Sequence, residues 1–180
     1  MATDPNFVTN ASSQPFLSGT MSPVTEEMDV ASVKVTGELP EGLRGSFIQN
    51  GPNPRFEPLG RYHMFDGDGM LHRLSIEGGK VSYKNRWIQT PMLKAELRQG
   101  RALYHGLSEM MMFPDPALVG DAGPIKNPSN THIIKHAGRY LSLWEGGPPM
   151  EVTADLDSKG FHTFDDKWVG GMTAHPRLDP

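Results

Sequence analysis

The chain has 180 residues, 20 of them Gly and 16 Pro, no Cys, and a formal net charge of −4. That length allows one domain with a real core. The acidic balance argues against nucleic acid as a partner, because phosphate binding needs a basic face. The lack of thiols excludes disulfides and leaves His, Asp and Glu as the metal ligands. No apolar run approaches the roughly 18 residues of a transmembrane helix. The first Lys or Arg is Lys34, which fits neither a secretory signal nor a transit peptide, so the expected setting is cytoplasmic.

Residues 1–32 are rich in Ser, Thr, Asn and Pro and show no periodicity, which predicts a flexible arm, with one domain over 33–180. Gly45–Gln49 reads as a short strand ending in the turn-rich Asn50-Gly51-Pro52-Asn53-Pro54. Met70–Trp87 is the clearest hairpin: Leu74 and Ile76 alternate with polar residues, Gly78-Gly79 supplies the turn, and Val81, Tyr83 and Trp87 alternate on the return. Gln89–Gly100 predicts a short helix. Arg101–Ser129 is a long irregular stretch, uncommon in a compact domain unless it serves a function. A second hairpin runs from Thr131–His136 through Ala137-Gly138-Arg139 to Tyr140–Trp144. Short strands are expected near Glu151–Ala154, Gly160–Phe164 and Lys167–Met172. Short strands, tight turns and little helix argue for an all-β fold, whether sandwich, barrel or propeller. No strict internal repeat chooses among them.

Several side-chain groups invite a chemical reading. Phe65-Asp66-Gly67-Asp68-Gly69-Met70 has the Asp-x-Asp spacing of a calcium loop but lacks the remaining ligands. Its aspartates are better read as binding the turn backbone. His132 and His136 are four apart in a predicted strand, which separates them by about 13 Å, too far for one ion. They and His63, His72, His105 and His162 are assigned to structure or surface. Met110-Met111-Met112-Phe113 is either adaptable core packing or an exposed patch that touches a bilayer and collects lipophilic substrate.

Seven segments follow one another in order: Gly45-Ser46-Phe47-Ile48-Gln49-Asn50-Gly51-Pro52-Asn53-Pro54, Phe65-Asp66-Gly67-Asp68-Gly69-Met70-Leu71-His72, Tyr83-Lys84-Asn85-Arg86-Trp87, Asn130-Thr131, Gly138-Arg139, Leu143-Trp144-Glu145-Gly146-Gly147 and Thr173-Ala174-His175-Pro176. Each is weak alone. Together, from about Gly37 to Pro180, the series resembles the first third of the carotenoid cleavage oxygenase family, which includes apocarotenoid oxygenases, the retinoid isomerohydrolase and lignostilbene dioxygenases. The resemblance implies the N-terminal part of a seven-bladed β-propeller. It also implies Fe(2+) on the propeller axis, held by four histidines, three of which are hydrogen-bonded by glutamates.

By the Ala-His-Pro motif, His175 is the first of those histidines, and by the Leu-x-Glu motif Glu145 is one of those glutamates. The other ligands of the family pattern have no counterpart up to Pro180. The resemblance further implies an apolar tunnel for a lipophilic polyene, with O2 added across one C=C bond to give two carbonyl products. Trp144, Met111 and Phe113 are candidates for its lining, and the longer protein is expected to touch a membrane peripherally. Some lignostilbene-cleaving members carry a lysine where Trp144 stands. An indole cannot take a phenolate charge, so this position favours a carotenoid or apocarotenoid over a hydroxystilbene. The alternatives are a stilbene-cleaving dioxygenase and a non-catalytic β module. One histidine cannot close an iron site, and a part-propeller leaves sheet edges unpaired. The 180-residue chain alone is therefore expected to be inactive and poorly soluble.

Overall fold

Gly78 (φ 55°) and Gly79 (φ 73°) both sit in the left-handed region, as a two-residue hairpin turn requires. They join β3 (Gly69–Glu77) to β4 (Lys80–Trp87) in the register that sets Met70 opposite Trp87. The computed structural model describes residues 14–168 and 170–177. In it β2 (Gly45–Pro52) lies on the free side of β3, and the two-residue β1 (Asp29–Val30) lies outside β4. The second sheet follows chain order: β5 (His132–His136), β6 (Arg139–Leu143), β7 (Met150–Val152) and β8 (Ser158–Phe161). All pairs in both sheets are antiparallel. Two four-stranded sheets thus arise without a sequence repeat, because what they share is antiparallel pairing and glycine-containing turns rather than residue identity or strand length.

Successive strand residues face opposite ways, and at its N-terminal end β3 is apolar on both sides. Leu71 points to the second sheet and packs with Ile88 against Met150, Val152 and Leu156. Met70 points the other way and packs with Trp87 against Leu93 of α1 (Pro91–Gln99). Burying each such side chain contributes about 1.5–3 kcal/mol. The helix starts where Thr90 Oγ1 accepts the Leu93 N–H and ends at Gly100 in the left-handed conformation. The sheets are also stitched by polar groups. Asn50 Nδ2 donates to Ser129 O, His132 O and Ser142 Oγ at 2.9, 3.1 and 3.0 Å.

Three expectations need correction. Residues 14–32 are docked rather than flexible; residues 1–13 of the expected arm lie outside the described residues. Gln14 bonds Gly60 and Tyr62, Asn53 exchanges two hydrogen bonds with Val24, and Asn85 holds Glu26 and Met28. The segment needs no apolar core of its own because buried asparagine amides take up its backbone groups. The expected strand at Lys167–Met172 does not form among its described residues; Val169 lies outside them. Phe164, Asp165 and Asp166 all have φ near +53 to +60°, and this left-handed run turns the chain back, with Trp168 N donating to Thr163 O. The long stretch after α1 contains a short helix, α2 (Pro116–Val119), begun by Asp115 accepting from Ala117 N. Among the described residues no helix is long and apolar enough to cross a membrane.

The outer face of the first sheet is open. Phe47, Leu74 and Tyr83 are cross-strand neighbours on it, and Phe47 is 63% exposed. An open apolar sheet face invites association. Expressed by itself, the 180-residue chain is expected to self-associate in sedimentation velocity, and Phe47→Ser with Leu74→Ser to reduce this. Unchanged sedimentation of the variant would show that this face is not the adhesive one.

Candidate functional site

Glu145 and His175 are brought together by two close backbone approaches. Glu145 follows the end of β6, where Trp144 folds back over Gly146: a Cβ on Gly146 would lie 2.4 Å from the indole. The chain returns alongside this turn, with Met172 N donating to Gly147 O at 3.2 Å. A Cβ on Gly171 would come within 2.9 Å of Glu145 O, so the passage needs a glycine. Ala174 is then fully buried against Leu141 and Leu143, and His175 N donates to Thr173 Oγ1. The outcome is an imidazole whose Nε2 is 3.6 Å from Glu145 Oε1, with both side chains largely exposed.

At that distance the two side chains are in contact but not hydrogen-bonded. One nitrogen of His175 faces a carboxylate, and the other has no hydrogen-bond partner among the described residues. A neutral imidazole suits Fe(II), and a carboxylate beside a ligating His fixes its tautomer and ring orientation. The pair therefore fits one ligand of a metal centre with its orienting group. Among the described residues no cluster of three or more His, Cys, Asp or Glu side chains could hold an ion.

Trp144, the residue before Glu145, lines a cleft of about 80 Å³. Phe65, Leu107, Met110, Met112 and Ile125 form its apolar sides. Of the residues expected along a substrate path, Trp144 lies on this cleft and Met111 and Phe113 do not; their neighbours Met110 and Met112 do. All four side chains of the run are exposed, Met111 most of all at 74%, and Met110 and Met112 are the two that also border the cleft.

The floor of the cleft is charged. Lys126 Nζ lies 2.7 Å from Asp68 Oδ1 and 2.6 Å from Glu96 Oε2, and both carboxylates are almost fully buried. Burial works against the ammonium, but Asp68 and Glu96 outweigh it and raise the Lys126 pKa. Burial pushes the Glu96 carboxyl up, Lys126 opposes it, and Asp68 adds to it. Tyr104 is pushed up to about 12, chiefly by burial and then by Glu96.

Asp66 and Asp68 do accept backbone N–H groups, as the turn reading expected: Asp66 from His63 and Leu107, Asp68 from Arg55. The partnership of Asp68 with Glu96 and Lys126 was missed. One signal was available: Glu96 stands three residues after Leu93, on the apolar stripe of α1. The histidines set aside have protein partners in several cases, His72 with Tyr83 at 2.7 Å and His105 with Glu109 at 2.8 Å.

The profile of the Retinal pigment epithelial membrane protein family matches residues 21–180. A carotenoid cleavage oxygenase of Mycobacterium tuberculosis is 38% identical over 172 residues, spanning 94% of this chain and 32% of that protein. Carotenoid 9,10(9',10')-cleavage dioxygenase 1 of Phaseolus vulgaris is 34% identical, spanning 92% and 33%. Among solved structures, the lignostilbene dioxygenase of Pseudomonas brassicacearum superposes with a TM-score of 0.84 at 33% identity, covering 92% of this chain and 34% of that one. Cobalt-substituted apocarotenoid oxygenase of Synechocystis does so with 0.71 at 30% identity, covering 88% and 34%. The chain spans about a third of the length of the relatives it matches.

Proposed function

The chain belongs to the carotenoid cleavage oxygenase family, to which the retinal pigment epithelial membrane protein also belongs, and on that premise we propose that it forms the N-terminal part of an Fe(II) dioxygenase cleaving a C=C bond of a carotenoid or apocarotenoid. The observation that carries the reading is the pairing of His175 with Glu145 at 3.6 Å, directly after the cleft residue Trp144. When bound, iron would supply the activation of O2. His175 would ligate it through one ring nitrogen, and Glu145 would hold the ring in one orientation. Trp144, Phe65, Met110 and Met112 would exclude water and guide an apolar chain toward it. The cobalt-substituted relative supports a metal in this role, and the protein's cytoplasmic placement belongs to the same proposal.

In the native protein, His175→Ala is expected to abolish both bound iron and polyene cleavage. Glu145→Gln is expected to weaken iron binding about 10–100-fold. Metal content per chain measured by mass spectrometry checks both, and undiminished iron in His175→Ala would overturn the assignment.

A stilbene-cleaving dioxygenase is the second reading, favoured by the likeness to a lignostilbene dioxygenase and opposed by the uncharged Trp144. Incubation with an apocarotenal and with a hydroxystilbene separates the two by which carbonyl products form.

Met111 and Phe113, exposed and off the cleft, would rest against a bilayer and place the cleft at the source of lipophilic substrate. Met111→Ser with Phe113→Ser is expected to cut sedimentation of the native protein with phosphatidylcholine vesicles severalfold, since each buried apolar side chain is worth about 1.5–3 kcal/mol. Unaltered vesicle binding would remove the membrane role from this segment.

A further inference from the structure

We propose that Lys126 is a positioning residue that sets the width of the apolar cleft by holding together two walls that would otherwise repel. The inference rests on reading that cleft as the route of an apolar substrate.

The two walls come from distant parts of the chain. One is the turn carrying Phe65 and Asp68. The other is the end of α1 with the residues after it. Asp68 fastens the first wall: its Oδ2 accepts the Arg55 N–H at 3.1 Å. Glu96 fastens the second: its Oε1 accepts the N–H groups of Leu103 and Tyr104 at 2.9 and 3.4 Å. Both carboxylates turn their second oxygen toward the same point, and Lys126 Nζ occupies it, 2.7 Å from Asp68 and 2.6 Å from Glu96. The Glu96 contact is a hydrogen bond. Asp68 Oδ1 lies 2.7 Å from the same ammonium, within the range of a charge-assisted contact.

The cluster carries two negative charges and one positive charge, with the Asp68 and Glu96 side chains 4% and 1% exposed. Without the cation, two buried carboxylates would face one another across the cleft floor, an arrangement that like-charge repulsion and burial both oppose. The wall starting at Leu103 continues into Leu107, whose N–H is held by Asp66 Oδ1 at 2.9 Å, and then into Met110 and Met112. Lys126 therefore acts beside this Asp66 bond in fixing where the apolar lining stands, without contributing apolar surface itself.

The test is Lys126→Met in the native protein, read by amide hydrogen exchange and by steady-state kinetics on an apolar polyene. Exchange in residues 101–112 is expected to accelerate at least about tenfold, while β3 and β6 keep their protection. KM is expected to rise more than kcat falls. Uniform acceleration across both sheets would make Lys126 an ordinary stabiliser of the fold and overturn the proposal, as would unchanged exchange at 101–112 or an unchanged KM. Should Lys126→Met show no cooperative unfolding transition, Lys126→Gln, which keeps a donor toward Glu96, is read by the same criteria. If the native protein cleaves no polyene at all, the activity reading fails, and the exchange pattern still decides the role of Lys126.

Discussion

Leu71 and Ile88, buried against Met150, Val152 and Leu156, join the two sheets, and the placement of the cleft follows from that contact. It brings the start of β3 to the segment leading into β5, where Gly69 N donates to Pro128 O at 2.8 Å and a Cβ on Gly69 would meet Ser129 O at 2.4 Å. The backbones can approach so closely because residue 69 has no side chain. That approach puts the turn carrying Phe65 and Asp68 beside the segment carrying Ile125 and Lys126. The cleft is the space left at the rim of the junction, walled by loops because the strands themselves are used up in packing.

Polar groups do much of the work of fixing the loops. A chain with this much Gly and Pro forms little regular structure outside its strands, so many loop N–H and C=O groups need side-chain partners. Asn50, Asn53 and Asn85 supply amides that mimic backbone. Asp66, Asp68 and Glu96 supply carboxylate oxygens to N–H groups. The carboxylates are the more demanding choice, because burying them requires compensating charge. Lys126 meets that need for two of them at once, and a structural requirement thereby becomes a determinant of cleft geometry.

The metal-ligand candidate is built on different terms. His175 and Glu145 are both exposed and lie 30 positions apart in the chain, and neither is held by burial of its own. Their neighbours hold them: Ala174 is anchored in the second sheet's core and Gly171 lets the returning segment pass the Glu145 carbonyl. Anchoring through neighbours leaves the imidazole free to face outward from the chain, as a ligand shared with further side chains must.

Much of this was legible from the sequence because it is local. Alternation with Gly-Gly specified the β3–β4 hairpin, and residues 89–100 read as a short helix; Glu145 and His175 were singled out only through the family resemblance of the Leu-x-Glu and Ala-His-Pro motifs. Local chemistry determines a turn or a cap whatever the rest of the chain does. Tertiary structure decided the remainder. It decided that residues 14–32 dock, since Asn53 and Asn85 lie far along the chain from the backbone they bind. It decided that Met110 and Met112 rather than Met111 and Phe113 line the cleft, since composition does not say which way a turn presents its side chains. It also decided that Asp68, Glu96 and Lys126 share one buried point. Charge pairing between residues 30 and 58 positions apart has no periodicity to reveal it, and it exists only once the sheets have packed.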